Sequence, residues 1–206
     1  MSALKKGKIT MRSNLNKIIE SSRGIERINL DDHLLSERRI FLDGDINSEN
    51  CTDIIKALML MDSQAHDKEI TLYINSPGGD CENGLALYDA IRITRSKVRT
   101  VCMGLCASMA AVIYLAADKR EILPHSRIMI HDPSFGNADF SGQKSKEIEK
   151  HLVGLNKMRD TLASIIAERT GKSLEEIYEV TQYDSFYTAE EAVDFGLAHK
   201  IIKESN

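Results

Sequence analysis

The stretch that most constrains this chain runs from Val98 to Ala117. Its first part, Val98 to Met103, is β-rich, and its last part, Ala107 to Ala117, is almost wholly apolar. A strand that stops at Gly104, followed within a few residues by a buried helix, satisfies both patterns. Ser108 is then the one hydroxyl in the first turn of an apolar helix. Two readings compete. A serine there can satisfy the free N–H groups of a core helix. It can equally be a nucleophile at a positive helix end, where spare N–H groups stabilise a developing oxyanion.

The neighbouring segments set the fold class. Arg38-Arg-Ile-Phe-Leu-Asp-Gly44 reads as a short strand ended by a turn. Ser48 or Asn50 caps a helix whose buried stripe is Ile54, Ile55, Leu58, Met61 and Met59. Ile70 to Asn75 is a strand apolar on both faces, as inside a parallel sheet. Asn75-Ser-Pro-Gly-Gly-Asp80 then turns into an amphipathic helix with Leu85, Leu87, Ile91 and Ile93, and Val98 to Met103 completes a βαβ unit. The alternation predicts an α/β core with a mainly parallel sheet. Sites in such sheets gather at the carboxyl ends of strands, where the Gly78-Gly79 turn and Ser108 both lie.

Composition narrows the function classes. A 206-residue chain reads as one domain with a sizeable core. A net charge of −4 without a basic stripe argues against nucleic acid. The longest apolar run, Met109 to Ala117, is far short of the ~20 residues of a membrane span. Lys5, Lys6 and Lys8 have no apolar stretch behind them, so no secretory signal is expected. Cys51, Cys81, Cys102 and Cys106 lack zinc-site spacing, which predicts reduced thiols in a cytoplasmic setting.

The rest of the chain supplies candidate partners for Ser108. Residues 1–30 read as an arm or loose hairpin with a turn at Ser22-Arg23-Gly24. Ile122 to His131 is strand-like, Asp132 to Gln143 a loop or exposed ribbon, and Ser145 to Arg169 a long helix ended by Gly171. Ser173 to Glu176 and Thr188 to Glu191 are capping boxes. A serine needs a base, and the base an orienting acid. Of six histidines, His33, His66, His151 and His199 suit solvated positions. His131 emerges at the end of an apolar strand, with His125 at its other end; the two could share a face as metal ligands, but no third ligand has diagnostic spacing. Asp184, in a loop between capped helices, is the best-placed acid, although a turn aspartate bonding its own backbone reads the same way. Gly78 and Gly79 allow close backbone approach to a ligand.

With these residues assembled, the chain resembles the family of Clp protease proteolytic subunits over about residues 22–202. The resemblance rests on Ile74-Asn-Ser-Pro-Gly-Gly79, Cys102-Met-Gly with Ala107-Ser-Met109, Arg127-Ile-Met-Ile-His131 with Pro133, and Glu191-Ala-Val-Asp-Phe-Gly196, in the family's order. It implies a crotonase-like α/β fold of repeated β-β-α units, with a mainly parallel sheet and a protruding helix-and-strand handle at about residues 132–169. It implies Ser108 as nucleophile, His131 as general base, Asp184 as orienting acid, and the N–H groups of Gly79 and Met109 as oxyanion hole. Substrate would lie along Gly78, Asp80, Pro133 and Ser134. Family members stack heptameric rings into a tetradecamer, with N-terminal residues lining the axial pore. A Clp-type ATPase feeds unfolded polypeptide and uses the ATP, so the subunit needs no cofactor or metal of its own. ATPase docking would fall on Tyr73, Ile93, Val101 and Met103.

The departures from the family pattern are specific. Leu105-Cys106 stands where Gln-Ala is common, and Ala110 replaces a glycine. The turn before Pro124 is shorter and the segment after Pro133 longer. Thr71 and Ile93 stand where the docking pocket tends to present aromatics. The acid-and-arginine pair that usually precedes the catalytic aspartate is Gln182-Tyr183, which removes a charge-assisted contact. That change suggests a subunit that assembles or activates differently, with a second subunit type or with low activity of its own. A crotonase-like acyl-CoA enzyme would share the oxyanion donors, but it would make no joint demand on Ser108, His131 and Asp184, and this chain is short for one.

Overall fold

The computed structural model describes residues 16–21, 24–136 and 138–203. The chain divides into two compact units, residues 1–39 and 40–206. In it, β1 (Asn16–Ser21) and β2 (Gly24–Asn29) form an antiparallel hairpin, followed by α1 (Leu30–Ser36). Asn29 caps α1 by accepting the Asp31 N–H at 2.8 Å, and Asp31 and Asp32 add negative charge at its positive end. The hairpin reading holds for these strands; residues 1–15 and the turn residues Ser22 and Arg23 lie outside the described residues.

The second unit is a mixed α/β fold with a mainly parallel sheet. Its strands are β3 (Arg39–Asp43), β4 (Ile70–Ser76), β5 (Val98–Ala107), β6 (Lys119–Ile122), β7 (Arg127–Ile130), β8 (Ser185–Tyr187) and β9 (Lys200–Ile201). Its helices are α2 (Ser48–Gln64), α3 (Cys81–Ile93), α4 (Met109–Leu115), α5 (Ser145–Thr170), α6 (Leu174–Thr181) and α7 (Ala189–Phe195). The sheet order is β3-β4-β5-β6-β9, with β7 also on β5 and β8 antiparallel to β7. The pairs β4/β5, β5/β6, β5/β7 and β6/β9 are all parallel.

Alternation along the central strands explains the layering. Leu72, Ile74, Thr100 and Cys102 are 0% exposed on one face, in one core with Ile54, Leu58, Leu87 and Ile91 from α2 and α3. The opposite face keeps Tyr73 and Met103 half-buried, with Phe41 exposed. The expectation that β4 is buried on both faces therefore gives way to one covered face and one partly open face. Helix α4 is buried at every position from Met109 to Leu115, as its unbroken apolar sequence demands.

Several local readings change. The strand does not stop at Gly104: β5 passes through it to Ala107, because a glycine at φ +100° bends the strand without ending it. The register shifts there, and the Asn75 and Ser126 side chains accept the N–H groups of Leu105 and Gly104 at 3.2 and 2.8 Å. The single strand expected over Ile122 to His131 is two, β6 and β7, which lie successively along β5 and are separated by an exposed turn at Pro124 and His125. Asn47, not Ser48 or Asn50, caps α2, in a reciprocal box with Asn50. Met59 and Ile93 are 68% and 81% exposed and leave the core stripe. The two later capping boxes and the helix ends at Gly171 and Gly196 form as expected.

Candidate active site

Ser108 occupies the junction between β5 and α4, with φ 55° and ψ −126°. Such a backbone is sparsely populated for a residue with a side chain and costs on the order of 1–3 kcal/mol. The surroundings impose it. Ala107 and Met109 are buried on either side, and the Ser108 N–H donates to Met129 O at 2.9 Å. Serine makes no side-chain cap here: the hydroxyl is free of helix α4. The helix-cap reading of Ser108 is thereby excluded, and a sharp strand-to-helix turn of this kind is how a nucleophile is lifted clear of a sheet.

The hydroxyl instead meets His131, which directly follows the last residue of β7. Its Nε2 is 2.8 Å from Ser108 Oγ, and its Nδ1 is 2.9 Å from Asp184 Oδ1. A carboxylate can only accept, so it selects the tautomer with the proton on Nδ1 and leaves Nε2 to accept from the serine. Asp184 sits just before β8, whose pairing of Ser185 with Ile130 brings the loop beside the histidine. That short strand was not expected in the loop reading. The three side chains are thus joined in one line, across separations of 23 and 53 residues. His125 lies apart in its exposed turn and does not share a strand with His131. Among the described residues, no group of three or more His, Cys, Asp and Glu could hold a metal ion.

Gly78 and Gly79 approach this turn from β4. Gly78 lies so close that an added Cβ would stand 2.7 Å from Ser108 Cβ and 2.8 Å from Ala107 O, at φ +102°. Gly79 bridges in parallel to Ile46: the Ile46 N–H donates to Gly78 O and the Asp80 N–H to Ile46 O. In that register the Gly79 N–H points away from Ile46. The Met109 N–H belongs to the first residue of α4, so no intrahelical carbonyl can accept it. The Met109 N–H is therefore left without an intrahelical partner next to Ser108, and the Gly79 N–H belongs to the residue after Gly78, which packs against Ser108.

A small apolar hollow adjoins Ser108 and His131, formed by Met109, Val112, Leu162 and Ile166 with Cys81 and Pro133. Burial, then Asp80 and Glu82, push the Cys81 thiol above its ordinary value, so it stays protonated at neutral pH. The other named positions fall differently. The Asp80 carboxylate is engaged as the cap of α3, accepting from Asn83 N–H and Nδ2 at 2.7 and 2.8 Å. Ser134 accepts the Gly136 N–H at 3.2 Å in an exposed loop. On the open sheet face, Tyr73 stacks on Phe41 with ring centroids 4.8 Å apart. Val101 is 1% exposed and presents no surface there.

Sequence reasoning missed Thr181 and Asp132, which bond to each other beside the histidine: Thr181 Oγ1 donates to Asp132 Oδ1 at 2.6 Å. A small polar residue at the end of an amphipathic helix carries no signal for such a partner. No helix among the described residues is long and apolar enough to cross a membrane. A family model described as Clp protease matches residues 22–205.

Proposed function

Because the chain belongs to the Clp protease family, we propose that it is the proteolytic subunit of an ATP-dependent serine endopeptidase. The line from Ser108 through His131 to Asp184, at 2.8 and 2.9 Å, carries this reading. Ser108 Oγ attacks the peptide carbonyl carbon as its proton passes to His131 Nε2, and Asp184 stabilises the resulting imidazolium through Nδ1–H. The carbonyl oxygen, now an oxyanion, accepts from the Gly79 and Met109 N–H groups. The C–N bond then breaks, and the amine leaves with the proton from Nε2. Water, deprotonated by the same nitrogen, releases the acid from the acyl-enzyme and restores the serine. No metal or organic cofactor enters any of these steps.

The substrate is an extended, unfolded polypeptide that pairs with the Gly78-Gly79 edge and the segment after Pro133. The subunits form heptameric rings stacked into a tetradecamer, with α5 as the handle that joins the rings. A Clp-type ATPase docks on the open sheet face around Tyr73 and Met103, with the exposed Ile93 at the end of α3 as a further contact, and delivers the substrate. Exposure of Ile148, Leu152 and Val153 along the first half of α5 supports a helix that is covered on assembly.

A second reading, a ring subunit of low intrinsic activity, is favoured by the segment before Asp184. Tyr183 is 75% exposed and the Gln182 amide is engaged with Glu179 O, so neither supports the acid. One experiment separates the two: exposure of the purified chain to a fluorophosphonate, with the adduct mapped by mass spectrometry. Labelling at Ser108 that disappears in His131→Ala supports the peptidase. A chain that assembles into rings by analytical ultracentrifugation but is never labelled leaves the second reading in its place.

A further inference from the structure

Asp184 is held near His131 by little of its own. Its side chain is 63% exposed, against 27% for His131, and among the described residues the hydrogen bond to His131 Nδ1 is the side-chain contact that joins it to the site. Its position is therefore set by the backbone on either side. On the following side, Ser185 pairs with Ile130, the residue before His131. On the preceding side, Thr181 meets Asp132, the residue after His131. There the Asp132 N–H donates to Thr181 O at 2.6 Å, and Thr181 Oγ1 donates to Asp132 Oδ1 at 2.6 Å. Ser185 Oγ, donating to Val180 O at 2.6 Å, closes the turn between the two anchors.

The result is a closed circuit. It runs from Ile130 through His131 to Asp132, across to Thr181, through Gln182 and Tyr183 to Asp184, and back by Ser185 to Ile130. The hydrogen bond from His131 to Asp184 spans its interior. Gln182 and Tyr183 are exposed and bury no side chain that would fix the span. Thr181 is 2% exposed, so its hydroxyl has no water to turn to and needs the partner it has. A bond to a carboxylate is about twice as strong as one between neutral groups.

We propose that Thr181 and Asp132 are positioning residues of the candidate active site: their contact sets the span between the strand that ends at His131 and the loop that carries Asp184. The inference rests on the peptidase reading above. It assigns the ordering of the acid to a contact inside one subunit, at the place where Gln182 and Tyr183 supply none. Neither residue touches the reacting atoms; both act through Asp184.

The test is a double-mutant cycle read by the rate of fluorophosphonate labelling at Ser108 and by peptide turnover, in the full, assembled chain. Thr181→Val lowers the labelling rate and kcat by about tenfold and leaves KM unchanged, because the loss falls on orientation and not on substrate contacts. Thr181→Ser, which keeps the hydroxyl, recovers the rate to within about twofold. Asp132→Ala repeats the loss on a less buried residue, should Thr181→Val fold poorly. In an Asp184→Ala background, Thr181→Val has no further effect, since the group it positions is gone. An equal loss in both backgrounds would mark a general structural role and overturn the proposal. So would a Thr181→Val or Asp132→Ala chain that is labelled at the wild-type rate. A wild-type chain that is never labelled at Ser108 sinks the peptidase reading first and this inference with it.

Discussion

The two ends of the line through His131 are built in opposite ways. Ser108 lies between buried Ala107 and Met109, under a glycine at van der Waals contact and ahead of a helix buried at every position. Asp184 follows exposed Gln182 and Tyr183 and is itself exposed. Core packing dictates the serine's geometry, whereas a few hydrogen bonds dictate the acid's. A perturbation at the first end must therefore cost stability and activity together. At the second end it can cost activity alone.

The largest test of that contrast is Asp184→Asn. Turnover should fall by about four orders of magnitude, as when an orienting carboxylate loses its hold on the histidine tautomer. The denaturant midpoint should move by less than about 0.5 kcal/mol equivalent, because the side chain is exposed. A large loss of stability would erase the distinction between the two ends. Gly78→Ala is the converse. Its Cβ would meet Ser108 Cβ at 2.7 Å and Ala107 O at 2.8 Å, from a backbone at φ +102°. We expect about 3 kcal/mol of destabilisation by chemical unfolding, and loss of Ser108 labelling with it.

Tyr114→Phe sharpens the comparison from further along α4. The buried Tyr114 hydroxyl donates to Glu121 O at 3.1 Å, and its removal should cost about 1 kcal/mol of stability without changing the labelling rate per folded chain. The smallest effect concerns pH. His199 Nδ1 accepts the Arg120 N–H at 3.2 Å, and burial, then Arg120 and Arg169, hold its imidazole below the ordinary value. The unfolded chain thus takes up this proton first, so the contribution is full above the unfolded pKa of about 6.5 and declines as pH falls through it. His199→Gln should flatten the fall in Tm between pH 7.5 and 5.5. An unchanged slope would remove this contact from the acid response of the core.

Much of the site was legible because its chemistry forced residues into unusual company. One serine in an apolar run, one histidine at the end of an apolar strand and two glycines after a proline each stand out against their surroundings. The capping boxes at Ser173 and Thr188 were legible for a similar reason, since local side-chain chemistry specifies them. What stayed hidden depends on partners distant in the chain. Gly104 reads as a stop, yet becomes a bend once Asn75 and Ser126 are present to accept the freed N–H groups. Ile93 and Met59 fit the helical period of a core stripe, and periodicity cannot tell an apolar residue kept for the surface from one kept for the interior. The unusual backbone of Ser108 left no mark on its own residue type. Its trace is the glycine at position 78, which must be small because of it.

Arg120 has a consequence beyond the core in which it is buried. Among the described residues no carboxylate bonds to it; its guanidinium is surrounded by the carbonyls of Ala117 after α4, Arg169 near the end of α5, and Gly196 and Leu197 after α7. Burial, then the nearby Arg169, lower its pKa only to about 10, so it remains a cation. Arg169 adds bonds to Leu115 O and Ala117 O. Three helices thus share one terminus. Helix α5 is a rod of about 40 Å, by its 26 residues, with its exposed half at the far end. The C-terminal end of α5 is thus tied to the carbonyls that end α4, the short helix whose other end holds Ser108. One buried guanidinium therefore joins the ends of the helix that carries the serine and of the long helix exposed at its far end.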